Sequence, residues 1–178
     1  MSLLKAIECL EEMNLRMSDK RECNNVTAVI LAGGVGSRLR SAVSDRPKVL
    51  AEVNGRPYLE HLFDQLLDAG IEHAVLCTGH LADMVKKVCG ATYGPMKLSY
   101  SQEFKPMGTG GALRLAATNI MSNTVLVLNG DSYCAANLKT FQKSHDNRAA
   151  SASILLTNVP DTSRYGRVQF DDQGRVIC

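Results

Sequence analysis

"VTAVILAGGVGSRLR", residues 26–40, sets a β-branched, apolar run directly against three glycines (Gly33, Gly34, Gly36) and two arginines (Arg38, Arg40). The run "VTAVILA" is nearly continuous in apolar character, the pattern of a strand buried on both faces of a parallel sheet. The chain then leaves that strand with bare backbone and fixed positive charge. Glycine reaches φ > 0 and lets backbone N–H groups converge on an anion with no Cβ in the way. Ser37 adds a hydroxyl donor, and the Arg38 guanidinium can hold two phosphate oxygens together.

Two familiar glycine motifs do not fit. A dinucleotide fingerprint G-x-G-x-x-G from Gly34 needs glycine at 39, where Leu39 stands, and no acidic residue ends a second strand at the expected distance. The P-loop spacing G-x-x-x-x-G-K-[ST] meets Arg38 or Leu39 at its second glycine. A glycine pair alone is more often a tight turn beside a solvated arginine. The neighbourhood weakens that alternative: "DRPK", residues 45–48, puts Lys48 behind Pro47, whose fixed φ stiffens the approach. Two cations and a glycine loop suit a triphosphate.

Outward from this stretch, strand and helix patterns alternate. Pro57 opens a helix whose Leu59, Leu62, Phe63, Leu66 and Leu67 share one face, ending at Gly70. Strand "HAVLCT", helix "LADMVKKVC" closed by Gly90, strand "MKLSYSQE", helix "GALRLAATNI" and strand "TVLVLNGD" follow. The expectation is an α/β, Rossmann-like three-layer α/β/α sandwich with a mostly parallel sheet, right-handed crossovers and ligands at the carboxyl ends of its strands. After a helix around "LKTFQKSH", the sequence predicts a strand at "ASILLT" and a C-terminal β-hairpin in "YGRVQFDDQGRVIC" around "DDQG". Upstream, residues 1 to about 18 repeat apolar residues at helical steps (Leu3, Leu4, Ile7, Leu10, Met13, Met17) before the polar linker "SDKRECNN". The domain expectation is therefore an N-terminal helical extension and linker over 1–25 and one nucleotide-binding domain over 26–178.

The chain has 178 residues, the size of one well-buried domain. Its 20 Lys and Arg against 18 Asp and Glu leave a net charge of +2, so no global basic field points to nucleic acid. No apolar run reaches the ~18 residues that span a bilayer, and no signal peptide is visible, so no membrane partner is expected and the expected compartment is cytoplasmic. Six scattered cysteines without a C-x-x-C pair read as reduced, mostly buried thiols rather than a zinc or disulfide framework. The four histidines lack ligand spacing and read as structural or surface residues. The N-terminal helix is a candidate homo-oligomer contact.

"LAGGVGSRLR…DRPKVLAEVNGRPYLEHLFDQL" resembles the opening of the sugar-1-phosphate nucleotidyltransferases, whose signature is G-G-x-G-[ST]-R-L followed by P-K. The resemblance runs through "KPMGTGGALRLA" and "VLVLNGD" to "YGRVQFDDQGRV", residues 26 to 178, and is closest to the GDP-sugar branch, the heptose 1-phosphate and mannose 1-phosphate guanylyltransferases. It implies attack by a sugar 1-phosphate on the α-phosphorus of a nucleoside triphosphate, with release of pyrophosphate. Leu31, Ala32, Gly33, Gly34, Gly36 and Ser37 would hold the nucleotide, Arg38 the leaving pyrophosphate, and Lys48 the charge that develops on the phosphates. Asp131, at the end of an apolar strand, suits Mg²⁺, with a cap of the following loop as the alternative. "QEFKPMGTGGA" would form the base pocket, where the two Glu103 oxygens match the N1–H and N2–H₂ donors of guanine and so favour GTP, with a surface glutamate as the alternative. Gly108 completes that pocket, and Thr109 either caps the following helix or touches the nucleotide.

The family places a Glu-Lys-Pro segment, whose Lys holds the sugar phosphate, shortly after the hairpin, and a second metal-binding Asp beyond it. Neither occurs in these 178 residues. Three readings stand: a piece of a longer transferase, a non-catalytic nucleotide-binding or regulatory module, or a site completed by a partner chain. Thymidylyl or uridylyl transfer remains the alternative to guanylyl transfer, and a dehydrogenase the remaining enzyme class.

Overall fold

The structure is a computed structural model that describes residues 26–34, 46–163 and 166–177. The expected N-terminal helix lies outside the described residues.

A five-stranded sheet carries the fold in the order β5-β6-β4-β1-β7. Its strands are β1 (Val26–Leu31), β4 (His73–Thr78), β5 (Thr92–Tyr93), β6 (Met96–Gln102) and β7 (Thr124–Asn129). β6, β4, β1 and β7 run parallel, and β5 turns back antiparallel on β6. A separate two-stranded ribbon, β2 (Glu52–Val53) with β3 (Arg56–Pro57), turns at Asn54-Gly55, both at positive φ. Among the described residues the α-helices are, in chain order, α1 (Tyr58–Asp68), α2 (Ala82–Cys89), α3 (Gly108–Ala116) and α4 (Leu138–Asn147).

Strand periodicity divides the core into two layers. Ala28, Ile30, Ala74 and Leu76 face Leu59, Leu62, Phe63 and Leu66 of α1, Val85 of α2 and Leu138 of α4. Val29, Val75 and Cys77 face Ala112, Leu113 and Ala116 of α3. The two faces follow from the strand order: the chain steps outward from β1 to β4 to β6, then returns through α3 to β7. Crossovers of one hand, run in opposite directions, put their helices on opposite faces. The return also makes β1 and β7 the point where connections diverge, which opens a crevice at their carboxyl ends.

α1 shows how local sequence sets these boundaries. Pro57 fixes the entry, the Tyr58 N–H donates to Ala51 O at 2.9 Å, and the side chains of Leu59, Leu62, Phe63 and Leu66 are fully buried. Each such side chain contributes roughly 1.5–3 kcal/mol through burial. The helix ends in a Schellman turn: Gly70, at φ +82°, donates to Leu67 O at 2.8 Å, and Ile71 donates to Leu66 O at 2.9 Å.

Three expectations need correction. The predicted strand "ASILLT" does not form; the segment has no regular structure, and Ile154, Leu155 and Leu156 are 39%, 43% and 43% exposed. A short apolar run carries strand propensity, but a strand needs a neighbour, and no described segment pairs with this one. The hairpin is reduced to a bridge between Phe170 and Val176 around a turn at Asp171–Gly174. Among the described cysteines, Cys77 is buried, Cys89 half-buried and Cys134 exposed, all free, so "mostly buried" holds for Cys77 alone.

Candidate active site

Four parallel strands end side by side, and their ends are tied by backbone hydrogen bonds. Ala32 N–H donates to Cys77 O at 2.8 Å, Glu103 N–H to Thr78 O at 2.8 Å, and Gly130 N–H to Leu31 O at 2.9 Å. Above them lies a cavity of about 380 Å³. Leu31, Ala32, Gly33 and Gly34 form the wall that continues β1; Lys48 and Asp131 stand on one side; Glu103, Gly108 and Thr109 stand on another. These nine residues were singled out in the sequence. Gly36, Ser37 and Arg38 lie outside the described residues.

Backbone crowding requires glycine at two strand ends, while at Gly33 a Cβ would displace the Glu103 carboxylate. A Cβ on Gly79 would sit 2.9 Å from Gly33 O. Gly130 is equally closed, its Cβ meeting Leu31 O at 2.9 Å. By contrast, a Cβ on Gly34 would meet nothing within 4 Å, so this backbone is open toward the cavity.

Lys48 sits in a single 3₁₀ turn, Lys48–Leu50, entered from Pro47 at φ −57°. Its Nζ donates to Asp131 Oδ2 at 2.8 Å. Asp131 follows β7 through Gly130, and Ser132 Oγ donates to its other oxygen at 3.2 Å. The Lys48 ammonium holds the Asp131 carboxyl below the ordinary carboxylate range, against partial burial, which pushes it up. Among the described residues, no cluster of three or more His, Cys, Asp or Glu side chains could hold a metal by itself. The residues fit Mg²⁺ in another way: a half-exposed carboxylate already bound to a cation, beside open backbone for phosphates. Mg²⁺ is commonly held by one or two carboxylates together with substrate phosphate oxygens.

Opposite them, Glu103 Oε2 accepts from the Met107 N–H at 3.0 Å, so one oxygen braces the loop that leads into α3. Thr109 lies inside α3, whose N-cap is Met107, so it lines the cavity and does not cap the helix. The first turn of α3 thus opens on the cavity, where a helix dipole favours an anion.

Sequence reasoning missed several wall residues: Val49, Cys77, Pro106, Ala112 and Asn129. Cys77 and Ala112 are small apolar residues whose side-chain direction depends on register. Burial, with a smaller contribution from Glu103, pushes the Cys77 thiol up to about 12, so it is an inert part of the wall.

The nucleotidyl transferase family model matches residues 27–178. The chain is 35% identical over 151 residues to the D-glycero-alpha-D-manno-heptose 1-phosphate guanylyltransferase of Aneurinibacillus thermoaerophilus, covering 85% of this chain and 65% of that protein. It is 33% identical over 157 residues to the mannose-1-phosphate guanylyltransferase of Mycobacterium tuberculosis, covering 87% and 44%. The crystal structure of HddC from Yersinia pseudotuberculosis complexed with GMP-PN superposes with a TM-score of 0.67 at 31% identity, over 85% of this chain and 67% of that one. The chain thus spans about two thirds of the length of its heptose relative.

Proposed function

The chain belongs to the nucleotidyl transferase family, and from that premise we propose that it binds GTP with Mg²⁺ and transfers GMP to a sugar 1-phosphate of the heptose or mannose type, releasing pyrophosphate. The observation that carries this reading is the Lys48–Asp131 pair, 2.8 Å apart beside the open backbone at Gly34, with Glu103 lining the same cavity. A cation and an anion that hold each other at the edge of a phosphate-sized cleft are poised to exchange partners. Lys48 would turn to phosphate oxygens, and Asp131 is the carboxylate that would hold Mg²⁺.

In this mechanism the chain does little covalent chemistry. It holds the α-phosphorus in line with the attacking sugar phosphate and neutralises charge as it builds. Lys48, and Arg38 from the glycine loop, supply the positive charge; Gly33, Gly34 and the first turn of α3 supply backbone N–H groups. Asp131 would hold Mg²⁺, which when bound screens the phosphate oxygens. Glu103, with Oε1 still available, is the acceptor for the guanine edge. The GMP-PN complex of the structural relative supports a guanine nucleotide. Free thiols at Cys77, Cys89 and Cys134 support a reducing, cytoplasmic setting, and no described helix is long and apolar enough to cross a membrane.

The test is a pyrophosphate-release screen of GTP, ATP, UTP and dTTP against heptose and mannose 1-phosphates, paired with a direct binding titration of each nucleotide. Release with GTP supports the proposal. GTP binding without release with any sugar favours the nucleotide-binding module. No nucleotide binding at all overturns both.

A further inference from the structure

Glu103 stands at the exit of β6 and Gly33 just beyond β1, with β4 between those strands. Two strand spacings separate β6 from β1, roughly 10 Å. The Glu103 side chain nevertheless reaches across the end of β4 and fills the place where a side chain at position 33 would begin, so that a Cβ there would overlap Oε1. Gly79, at the exit of β4, lets the Gly33 backbone come this close, since a Cβ on Gly79 would meet Gly33 O at 2.9 Å.

The two carboxylate oxygens have different surroundings. Oε2 accepts from the Met107 N–H at 3.0 Å. Oε1 rests against Gly33 on the cavity wall and accepts from no donor among the described residues. A carboxylate oxygen can only accept, so what it lacks is a donor from a ligand.

What glycine supplies at position 33 is space. Gly33 does not adopt a positive φ, so its backbone conformation suits alanine as well. At Gly79 and Gly130 an added Cβ would meet a main-chain oxygen, whereas at Gly33 it would meet the tip of a side chain that can turn away. A methyl group at 33 would therefore move Glu103 rather than the fold.

We propose that Gly33 is a positioning residue for base selection: its missing Cβ is the seat of the Glu103 carboxylate, and this seat keeps Oε1 on the cavity wall as the acceptor for guanine. The inference rests on the reading of Glu103 given above and names the residue that places it.

The test compares the 178-residue wild type with G33A, E103Q, G33A/E103Q and G79A. Tm is measured for each, and competition against a fluorescent GTP analogue gives the affinities for GTP, ITP and inorganic tripolyphosphate, which has no base. G33A should unfold close to wild type and well above G79A. It should weaken GTP by about 10-fold and narrow the gap between GTP and ITP, as expected when paired donors lose their acceptor. Tripolyphosphate affinity should stay within about twofold of wild type, since a residue that acts through Glu103 leaves the phosphate contacts alone. In the E103Q background, G33A should change the GTP/ITP gap by less than about twofold, because two substitutions in one chain of action do not add.

Equal weakening of GTP, ITP and tripolyphosphate by G33A would show a methyl group that obstructs the cavity by itself, and would overturn the proposal. So would a G33A gap equal to that of wild type, or a Tm as low as that of G79A. In each of these cases a narrowed gap in E103Q leaves the reading of Glu103 standing. If E103Q discriminates GTP from ITP as wild type does, that reading fails and this inference fails with it.

Discussion

Lys48 Nζ and Asp131 Oδ2 meet at 2.8 Å although 83 positions separate them in sequence. Their side chains are 35% and 46% exposed. An ion pair this open to water contributes only about 0.2–1 kcal/mol to folding, so its place in the fold is better explained by what each partner could bind than by the stability it adds.

K48M should therefore leave the unfolding free energy within about 1 kcal/mol of wild type, while weakening GTP binding by about 10-fold or more through the lost charge-assisted contact. The reciprocal exchange K48D/D131K would restore the pair without restoring binding. Chemical denaturation alongside a fluorescent-GTP titration reads both quantities. Rescue of binding by the double exchange would show that the pair serves the fold.

Two glycines beyond the strand ends, Gly79 after β4 and Gly34 after β1, should respond in opposite ways. G79A would force a Cβ to within 2.9 Å of Gly33 O, which belongs to the backbone and has little room to move. It should cost about 1–3 kcal/mol of stability. G34A meets nothing within 4 Å and should leave Tm unchanged, yet lower nucleotide affinity severalfold because its methyl group occupies the side from which phosphates approach. A G34A protein with a lowered Tm and intact binding would contradict this account.

At the opposite ends of the strands, a polar chain crosses the sheet. Ser122 Oγ lies 2.7 Å from Thr27 Oγ1, Thr27 Oγ1 lies 3.4 Å from His73 Nδ1, and His73 Nε2 lies 3.0 Å from Ser99 Oγ. Burial first, and then Lys97, hold the His73 pKa below its ordinary value. The folded state therefore binds fewer protons here than the unfolded chain, and stability rises with pH. The contribution is complete above about pH 6.5, the unfolded value, and is lost as pH falls from there through the folded value. The urea midpoint should be lower at pH 5.5 than at pH 7.5, and H73N should flatten that difference. An unchanged slope in H73N would assign the pH dependence elsewhere.

The fold was legible wherever a periodic pattern matched a buried face. β1, α1 and β4 could be placed from "VTAVILA", the Leu59–Leu66 stripe and "HAVLCT", because burial selects those apolar residues and little else could bury them. The strand order was not legible, because it depends on which edge each crossover reaches. Asn54-Gly55 is a two-residue hairpin signal, and it marks the β2–β3 ribbon. In the site, Gly33 and Lys48 were legible from the glycine loop and the Pro-Lys step, and Asp131 from the end of an apolar strand. Gly79 was not, since its need for a missing Cβ arises only when β1 and β4 end side by side. "ASILLT" read as a strand because composition records propensity and says nothing about whether a neighbour is present.

Base selection provides the last prediction. Glu103 gives one oxygen to the Met107 N–H at 3.0 Å and keeps the other toward the cavity, beside Gly33. E103Q can preserve the brace, since the amide oxygen of glutamine still accepts from Met107. It then presents an NH₂ to the cavity, where guanine also presents donors, so donor faces donor. GTP affinity should fall by about 10-fold or more, as expected when a buried polar group is left unpaired. ITP lacks the exocyclic amino group and should bind wild type more weakly than GTP, and the gap between the two should narrow in E103Q. Competition titrations of GTP and ITP on both proteins measure this gap directly. Equal discrimination by wild type and E103Q would move base recognition away from Glu103 and leave that residue as the brace of the loop entering α3.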